Sequence, residues 1–218
     1  MAEGILILAT SGGGKTYSCK TLDPKTSFLV SVDGKRPPFS LKDWPKLTKD
    51  NLDGSYYTPS KVGMYAKVKN AIKAAVEHDK KTIVIDDSQF LMANSFFARA
   101  HEKGFDKFSE LGQDFWFFLD FLRDLPDDVT FYLLHHIDEL ENGHVKPKTL
   151  GKMLDDKGCI EGKFTICLKA YREEGKGYFS ANVDGQDIFK SPEDMFSTDP
   201  MANDLAAVDN TIREYWGI

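Results

Sequence analysis

Cysteine is scarce in this chain. Cys19, Cys159 and Cys167 include no close pair. That pattern excludes a disulfide framework or a zinc ribbon and fits a reducing compartment. Long apolar runs are missing too. Residues 5–9 (ILILA) and 115–119 (FWFFL) are short, whereas a membrane span needs ~18 or more apolar residues. The start carries Glu3 and no basic cluster, so residues 5–9 are not read as a signal peptide, and a cytoplasmic location is expected. Arginine is limited to Arg36, Arg99, Arg123, Arg172 and Arg213, with no run of them. No Asn-Lys-x-Asp motif of the kind that reads guanine occurs, and no repeat or low-complexity tract is present.

What is present suits one globular domain. The chain has 218 residues, 41% of them hydrophobic, enough for a single core and short for two domains. The 28 Lys+Arg stand against 34 Asp+Glu, a net charge of -6. Taken alone, that argues against non-specific nucleic-acid binding by overall charge. The sign is unevenly spread, however. Residues 190–218 hold Lys190 and Arg213 against Glu193, Asp194, Asp199, Asp204, Asp209 and Glu214, so they carry -4 of the total. Basic stretches lie within the remainder, at residues 61–81 and 144–152. A single domain over residues 1–218 is expected, closing in an acidic segment, 189–218, that contains a helix. Such a segment would compete with a nucleic acid for the basic loop.

Hydrophobic patterning predicts alternating strands and helices. Residues 4–10 (GILILAT), 27–33 (SFLVSVD), 82–86 (TIVID) and 129–135 (VTFYLLH) are short apolar or β-branched runs suited to buried parallel strands. Helical spacing marks 60–78, 88–103, 108–125 and 205–216, and a short helix follows the first strand to about residue 22. Residues 34–57 read as an irregular excursion, and 138–156 as a polar loop. Residues 164–172 and 178–183 flank a hairpin turn. The expected class is α/β, a mainly parallel sheet flanked by helices with a C-terminal antiparallel hairpin.

Residues 9–16 (ATSGGGKT) follow the first strand. This is the phosphate-binding P-loop pattern, with Ala9 in place of its usual first glycine. Glycines let backbone N–H groups turn inward around phosphate oxygens, and a following helix N-terminus favours negative charge. The nucleotide-binding residues expected are Ser11, Gly12, Gly13, Gly14, Lys15, Thr16 and Tyr17. Lys15 would reach the β- and γ-phosphates, and Thr16 would ligate Mg²⁺. Asp86, ending the strand at 82–86, is the natural Walker B carboxylate for the metal. ATP and Mg²⁺ are therefore the expected cofactors.

Hydrolysis needs a group to orient or deprotonate water. Asp33 and Asp87 are the candidates, and the sequence leaves the choice open. His135 and His136 end the strand at 129–135, where a polar residue can sense a γ-phosphate. His136-x-Asp138 with Cys159 is a poor metal constellation. The lysines that follow, Lys146, Lys148 and Lys152, could contact nucleic-acid phosphates. Lys190 could act as a finger toward a γ-phosphate in its own or a neighbouring subunit. On the helix at 108–125, Phe108, Leu111, Phe115, Leu119 and Leu122 form a core-facing stripe. Trp116 and Phe117 fall off it, toward a second buried face, an oligomer contact or base stacking.

The segments ATSGGGKT, SVDGK (31–35), TIVIDDSQFLMANSFFARAHEKGFDKFSELGQDFW (82–116), LLHH (133–136), KTLGKMLDDK (148–157) and the closing IREYW resemble a family of phage-encoded ATP-binding proteins. These have a shortened RecA-like, AAA-type ATPase core. Some members are single-strand annealing recombinases that cooperate with single-stranded-DNA-binding protein. The resemblance implies a RecA-like P-loop core, single-stranded DNA as partner, a homo-oligomer and the host-cell cytoplasm. It places the catalytic carboxylate at Asp33, where the family's usual residue is Glu. It also places the sensor near His135, a DNA-binding loop over roughly 139–154 and an interface lysine at Lys190. A nucleotide kinase and a non-hydrolysing nucleotide-bound scaffold are the competing readings. A kinase ordinarily needs several arginines to clamp the transferred phosphate.

Overall fold

The computed structural model describes residues 1–104, 106–150, 154, 157–183, 186 and 188–218. The elements in chain order are β1 (Glu3–Ala9), α1 (Lys15–Ser18), β2 (Ser27–Ser31), β3 (Tyr56–Tyr57), α2 (Met64–Glu77), β4 (Thr82–Asp86), α3 (Gln89–Ala98), α4 (Asp106–Arg123), β5 (Thr130–Glu139), β6 (Val145–Pro147), β7 (Ile166–Glu173), β8 (Lys176–Ser180), β9 (Met201–Ala202) and α5 (Leu205–Trp216). Among the described residues the strands make one nine-stranded sheet in the order β3-β2-β4-β5-β1-β7-β8-β9, with β6 paired to β5. The pairs from β3 through β7 are parallel, and β8, β9 and β6 pair antiparallel.

The continuous apolar runs bury both sheet faces, as a parallel sheet requires. One face, with Leu6, Leu8, Phe28, Val30, Ile83, Ile85 and Leu133, packs against Val68 and Ile72 of α2, Leu91 and Met92 of α3, and Phe115, Phe118 and Leu122 of α4. The opposite face, with Ile5, Ile7, Val84, Tyr132 and Leu168, packs against Cys19, Trp44 and α5 through Leu205, Val208 and Ile212. The mainly parallel α/β architecture with its C-terminal antiparallel strands follows the sequence patterning. No helix among the described residues is long and apolar enough to cross a membrane.

Several local expectations change. β5 runs on to Glu139 because its polar end still pairs, with Ile137 opposite Pro147 and Glu139 opposite Val145. The first part of the expected loop at 139–154 is therefore a hairpin arm turning at Gly143, where φ is 82°. The excursion at 34–57 is anchored by buried Trp44 and Leu47 and ends in β3. Trp116 is partly buried and lies under the Lys163 ammonium, which is 3.8 Å from the ring centroid, while Phe117 is exposed.

The acidic segment is not a free tail. Asp204 caps α5, accepting the Ala207 N–H at 3.0 Å, and Asp199 accepts the Ala181 N–H at 3.1 Å. Asp209 is buried, accepting from Thr130 Oγ1 at 2.6 Å, Tyr132 Oη at 2.7 Å and Thr82 Oγ1 at 2.9 Å. It also pairs with Arg213 Nε at 2.9 Å. Arg213 in turn donates to the carbonyl oxygens of Lys81 (2.7 Å) and Asp128 (2.9 Å). These bonds fasten α5 to the starts of β4 and β5. Of these three acids, Asp209 is enclosed in the fold, while Asp199 stays exposed.

Removing one partner of a buried ion pair strands the other charge. Asp209→Ala is expected to lower stability by about 3–5 kcal/mol in urea unfolding. A loss below about 1 kcal/mol would show that the clamp does not hold α5.

Candidate functional site

The C-terminal ends of β1, β4, β5 and β7 converge on one pocket of about 290 Å³. It is lined by the loop after β1 (Ser11–Tyr17), by Lys35 and Arg36 after β2, by Asp86 and Asp87 at the end of β4, by His136 of β5 and by Arg172 of β7. In an open parallel sheet this edge is where ligands bind.

The glycines of the loop have local reasons. Gly14 has φ 97°, a backbone conformation that side chains disfavour. At Gly13 a Cβ would come within 2.7 Å of the Ala9 Cβ and 3.0 Å of the Ala170 carbonyl oxygen. The methyl group of Ala9, the departure from the usual motif, thus makes glycine at position 13 more necessary. α1 has four residues and passes directly into a 3₁₀ turn, Cys19–Thr21. So short a helix adds little dipole, and an anion here would rely on the loop's backbone N–H groups and on Lys15. Lys15 Nζ donates to the carbonyl oxygens of Ala9 (3.1 Å) and Thr10 (3.2 Å), which holds the ammonium over the loop. Burial pulls its pKa down to about 8, against the pull of Asp87 and Asp86.

Thr16 Oγ1 donates to Asp86 Oδ1 at 2.8 Å, joining the loop to the β4 carboxylate. Burial, reinforced by the Asp87 charge, pushes Asp86 up to about 7. Asp87 takes a positive φ of 56°. Burial acts to raise its carboxyl, but the His136 hydrogen bond at 3.1 Å, with Lys15 and Lys35 nearby, holds it below the usual range. Neighbouring carboxylates resist joint ionisation, so the more buried one keeps the proton. A hydroxyl beside a buried, under-neutralised carboxylate fits a hard cation such as Mg²⁺, which takes few protein oxygens and retains water and phosphate ligands. No cluster of three or more His, Cys, Asp or Glu that could hold a metal occurs among the described residues.

The other expected residues fall differently. Asp33 is not part of the pocket wall. It pairs with Lys35 at 2.7 Å, and Lys35 is the one that lines the pocket. His135 is fully buried and faces α4, 5.9 Å from the Phe115 ring. Adjacent residues of a strand point to opposite faces, so His136 is the histidine that reaches the pocket. Burial drives His135 down to about 4, hence neutral. Its Nε2–H donates to the Lys148 carbonyl oxygen at 2.7 Å, and Nδ1 accepts from Ser88 Oγ at 2.7 Å.

Lys146 lies on β6. Lys148 pairs with Asp138 at 2.9 Å. Lys152 lies outside the described residues. Lys190 bridges Cys167, near the start of β7 and away from the pocket, so a finger within its own subunit is set aside. Sequence reading offered the His135–His136 pair without separating its members, and it gave no role in the wall to Arg172 or Lys35. Arg172, the penultimate residue of β7 before the hairpin turn, was the one with a readable signal.

No family model matches the chain, and no curated protein matches it. Among solved structures, it shows a remote likeness to the genome packaging NTPase B204 from Sulfolobus turreted icosahedral virus 2 in complex with ATP-gammaS. The identity is 11%, the coverage 79% of this chain and 76% of that one, and the TM-score 0.41.

The raised Asp86 carboxyl has a consequence for stability. Between about pH 4 and pH 7 the folded protein keeps a proton that the unfolded chain has released. Stability contributed by this group therefore falls as pH rises through that window. Without nucleotide or Mg²⁺, Asp86→Asn is expected to melt above wild type at pH 8 by about 4 °C or more, the gap closing toward pH 4.5. A gap that does not change with pH would contradict the assignment.

Proposed function

We propose that this chain binds ATP·Mg²⁺ through a RecA-like P-loop core and acts on single-stranded DNA, promoting annealing, with slow ATP hydrolysis. The observation that carries the nucleotide part is the Thr16–Asp86 hydrogen bond. It brings the glycine-rich loop and a strand-end carboxylate, 70 residues apart, into one pocket with Lys15. In this reading Ser11–Tyr17 hold the nucleotide and Lys15 neutralises the β- and γ-phosphates. Thr16 and Asp86 hold Mg²⁺, whose role when bound is to draw charge off the phosphate oxygens. Asp87, steadied by His136, accepts a proton from the attacking water. Its carboxyl is held low, so it is a weak base, which fits slow turnover. Asp33 serves instead as the partner of Lys35.

The single-stranded DNA part is supported by continuity. β5 carries His136 in the pocket and runs on into the arm bearing Lys146, and Lys148 follows. The Lys148 N–H donates to the His136 carbonyl oxygen at 2.8 Å, and the Lys148 carbonyl accepts from His135. A change at the phosphate end of β5 would therefore reach the arm. Lys190, far from its own pocket, serves this reading only as a contact to a neighbouring subunit of a homo-oligomer. Single-stranded-DNA-binding protein is the accessory partner proposed.

Lys15→Ala is expected to lower ATP affinity at least about 100-fold, measured by calorimetry. Retained affinity would refute the P-loop assignment. Asp87→Asn should lower ATP turnover more than Asp33→Asn does. Wild-type protein should bind single-stranded DNA at low salt more tightly with ATP than without it. No DNA binding in either nucleotide state would remove the recombination reading, and phosphate transfer to a nucleoside monophosphate would replace it with a kinase.

A further inference from the structure

A second cavity of about 250 Å³ adjoins the phosphate pocket, and Gly14, Tyr17 and Arg172 are common to both walls. It lies on the β7–β8 side of the loop, away from Asp86 and Asp87, and is completed by Lys176, Gly177 and Asn203. A nucleotide whose phosphates occupy the loop must send its sugar and base somewhere, and this cavity opens from the loop's end. Tyr17 offers a ring with 40% of the residue exposed, and the Lys20 ammonium stands 3.9 Å from its centroid.

Asn203 is the unusual member. It follows β9 and is held by its N–H to the Gly177 carbonyl oxygen at 3.1 Å. Both side-chain amide atoms are buried, and neither has a hydrogen-bond partner among the described residues. Buried amides are nearly always satisfied, and an unsatisfied one at a cavity marks a place where a partner is expected. The amide lies against the P-loop: a Cβ at Gly14 would be 3.4 Å from Asn203 Nδ2, and a Cβ at Gly177 would be 2.8 Å from the Asn203 Cβ. The missing side chains at these two glycines let the Asn203 side chain pack closely between the loop and β8, in the wall of the cavity.

We propose that this cavity is the nucleobase subsite, with Tyr17 as its stacking face and the Asn203 amide as the reader of an adenine edge. The inference rests on the nucleotide reading given above. A carboxamide offers one acceptor and one donor side by side, which matches the N6 amino group and N7 of adenine. The same edge of guanine presents two acceptors, O6 and N7, and one of them would face the amide oxygen. Stacking on tyrosine accepts any base, so discrimination falls to Asn203.

The test compares ATP, GTP and tripolyphosphate binding by calorimetry in the presence of Mg²⁺. Wild-type protein should prefer ATP over GTP by about tenfold or more. Asn203→Ala should bring the two nucleotides within about twofold of each other while leaving tripolyphosphate affinity unchanged. Tyr17→Ala, a change at a partly exposed position, should weaken both nucleotides about tenfold and spare tripolyphosphate. Equal wild-type affinities for ATP and GTP, or an unaltered ratio in folded Asn203→Ala protein, would overturn the subsite. If Asn203→Ala does not fold, an unchanged ATP affinity in Tyr17→Ala overturns it instead. Failure of wild-type protein to bind tripolyphosphate and either nucleotide would be a failure of the phosphate-loop reading itself.

Discussion

Two carboxylates, Asp86 and Asp87, stand side by side where β4 meets the pocket, and the site is organised around keeping that pair tolerable. Each is handled differently. Asp86 is sunk against Thr16 and holds its proton to about pH 7. Asp87 is turned by its left-handed backbone toward His136 and the Lys15 and Lys35 ammonium groups, and it stays ionised. The pull of these acids works against the burial that would otherwise discharge Lys15. A buried acid that lacks a full counter-charge is poorly suited to a resting fold and well suited to a divalent cation. The local instability at Asp86 is the structural counterpart of the binding function proposed for it.

Sheet order turns that pair into a site. β5 lies between β1 and β4, so His136, partway along β5, falls between the glycine-rich loop and the two acids. The strand's two-residue period then gives its paired histidines opposite duties. His136 enters the pocket beside Asp87. His135 turns into the α4 side of the core and ties Ser88 to the backbone of Lys148. On the far side, β7 brings Arg172 to the loop, and the strands beyond it bring Asn203 behind Gly14. At the other end of the sheet, the Asp209–Arg213 clamp fixes α5 across the starts of β4 and β5, which anchors the strands whose opposite ends form the site.

Much of the fold is legible in the amino-acid sequence. The central strands, the late hairpin and α5 could be read because continuous apolar runs and helical spacing are strong local signals. The glycine-rich loop and Asp86, which the fold brings into one pocket, each sit in a contiguous stretch that the sequence displays. The rest depends on pairing across long sequence separations. β6 and β9 are three and two residues long, too short for any periodicity to show. Composition marks the last 29 residues only as acidic and does not report that Asp209 meets Thr82 and Thr130. That Asp87 and His136 line the pocket while Asp33 and His135 do not depends on which way each side chain points, which the sequence does not report. Asn203 carried no motif and became visible only as an amide without a partner.

In the function proposed, the Thr16–Asp86 pair and the glycine-rich loop form one cation-assisted triphosphate site. The most direct measurement is ATP affinity as Mg²⁺ is raised from zero to millimolar at pH 8, where Asp86 is largely ionised. Mg²⁺ is expected to tighten ATP binding by at least about tenfold in wild-type protein, and Asp86→Asn is expected to lose most of that gain. ATP affinity that is indifferent to Mg²⁺, or a Mg²⁺ response that survives unchanged in Asp86→Asn, would contradict it.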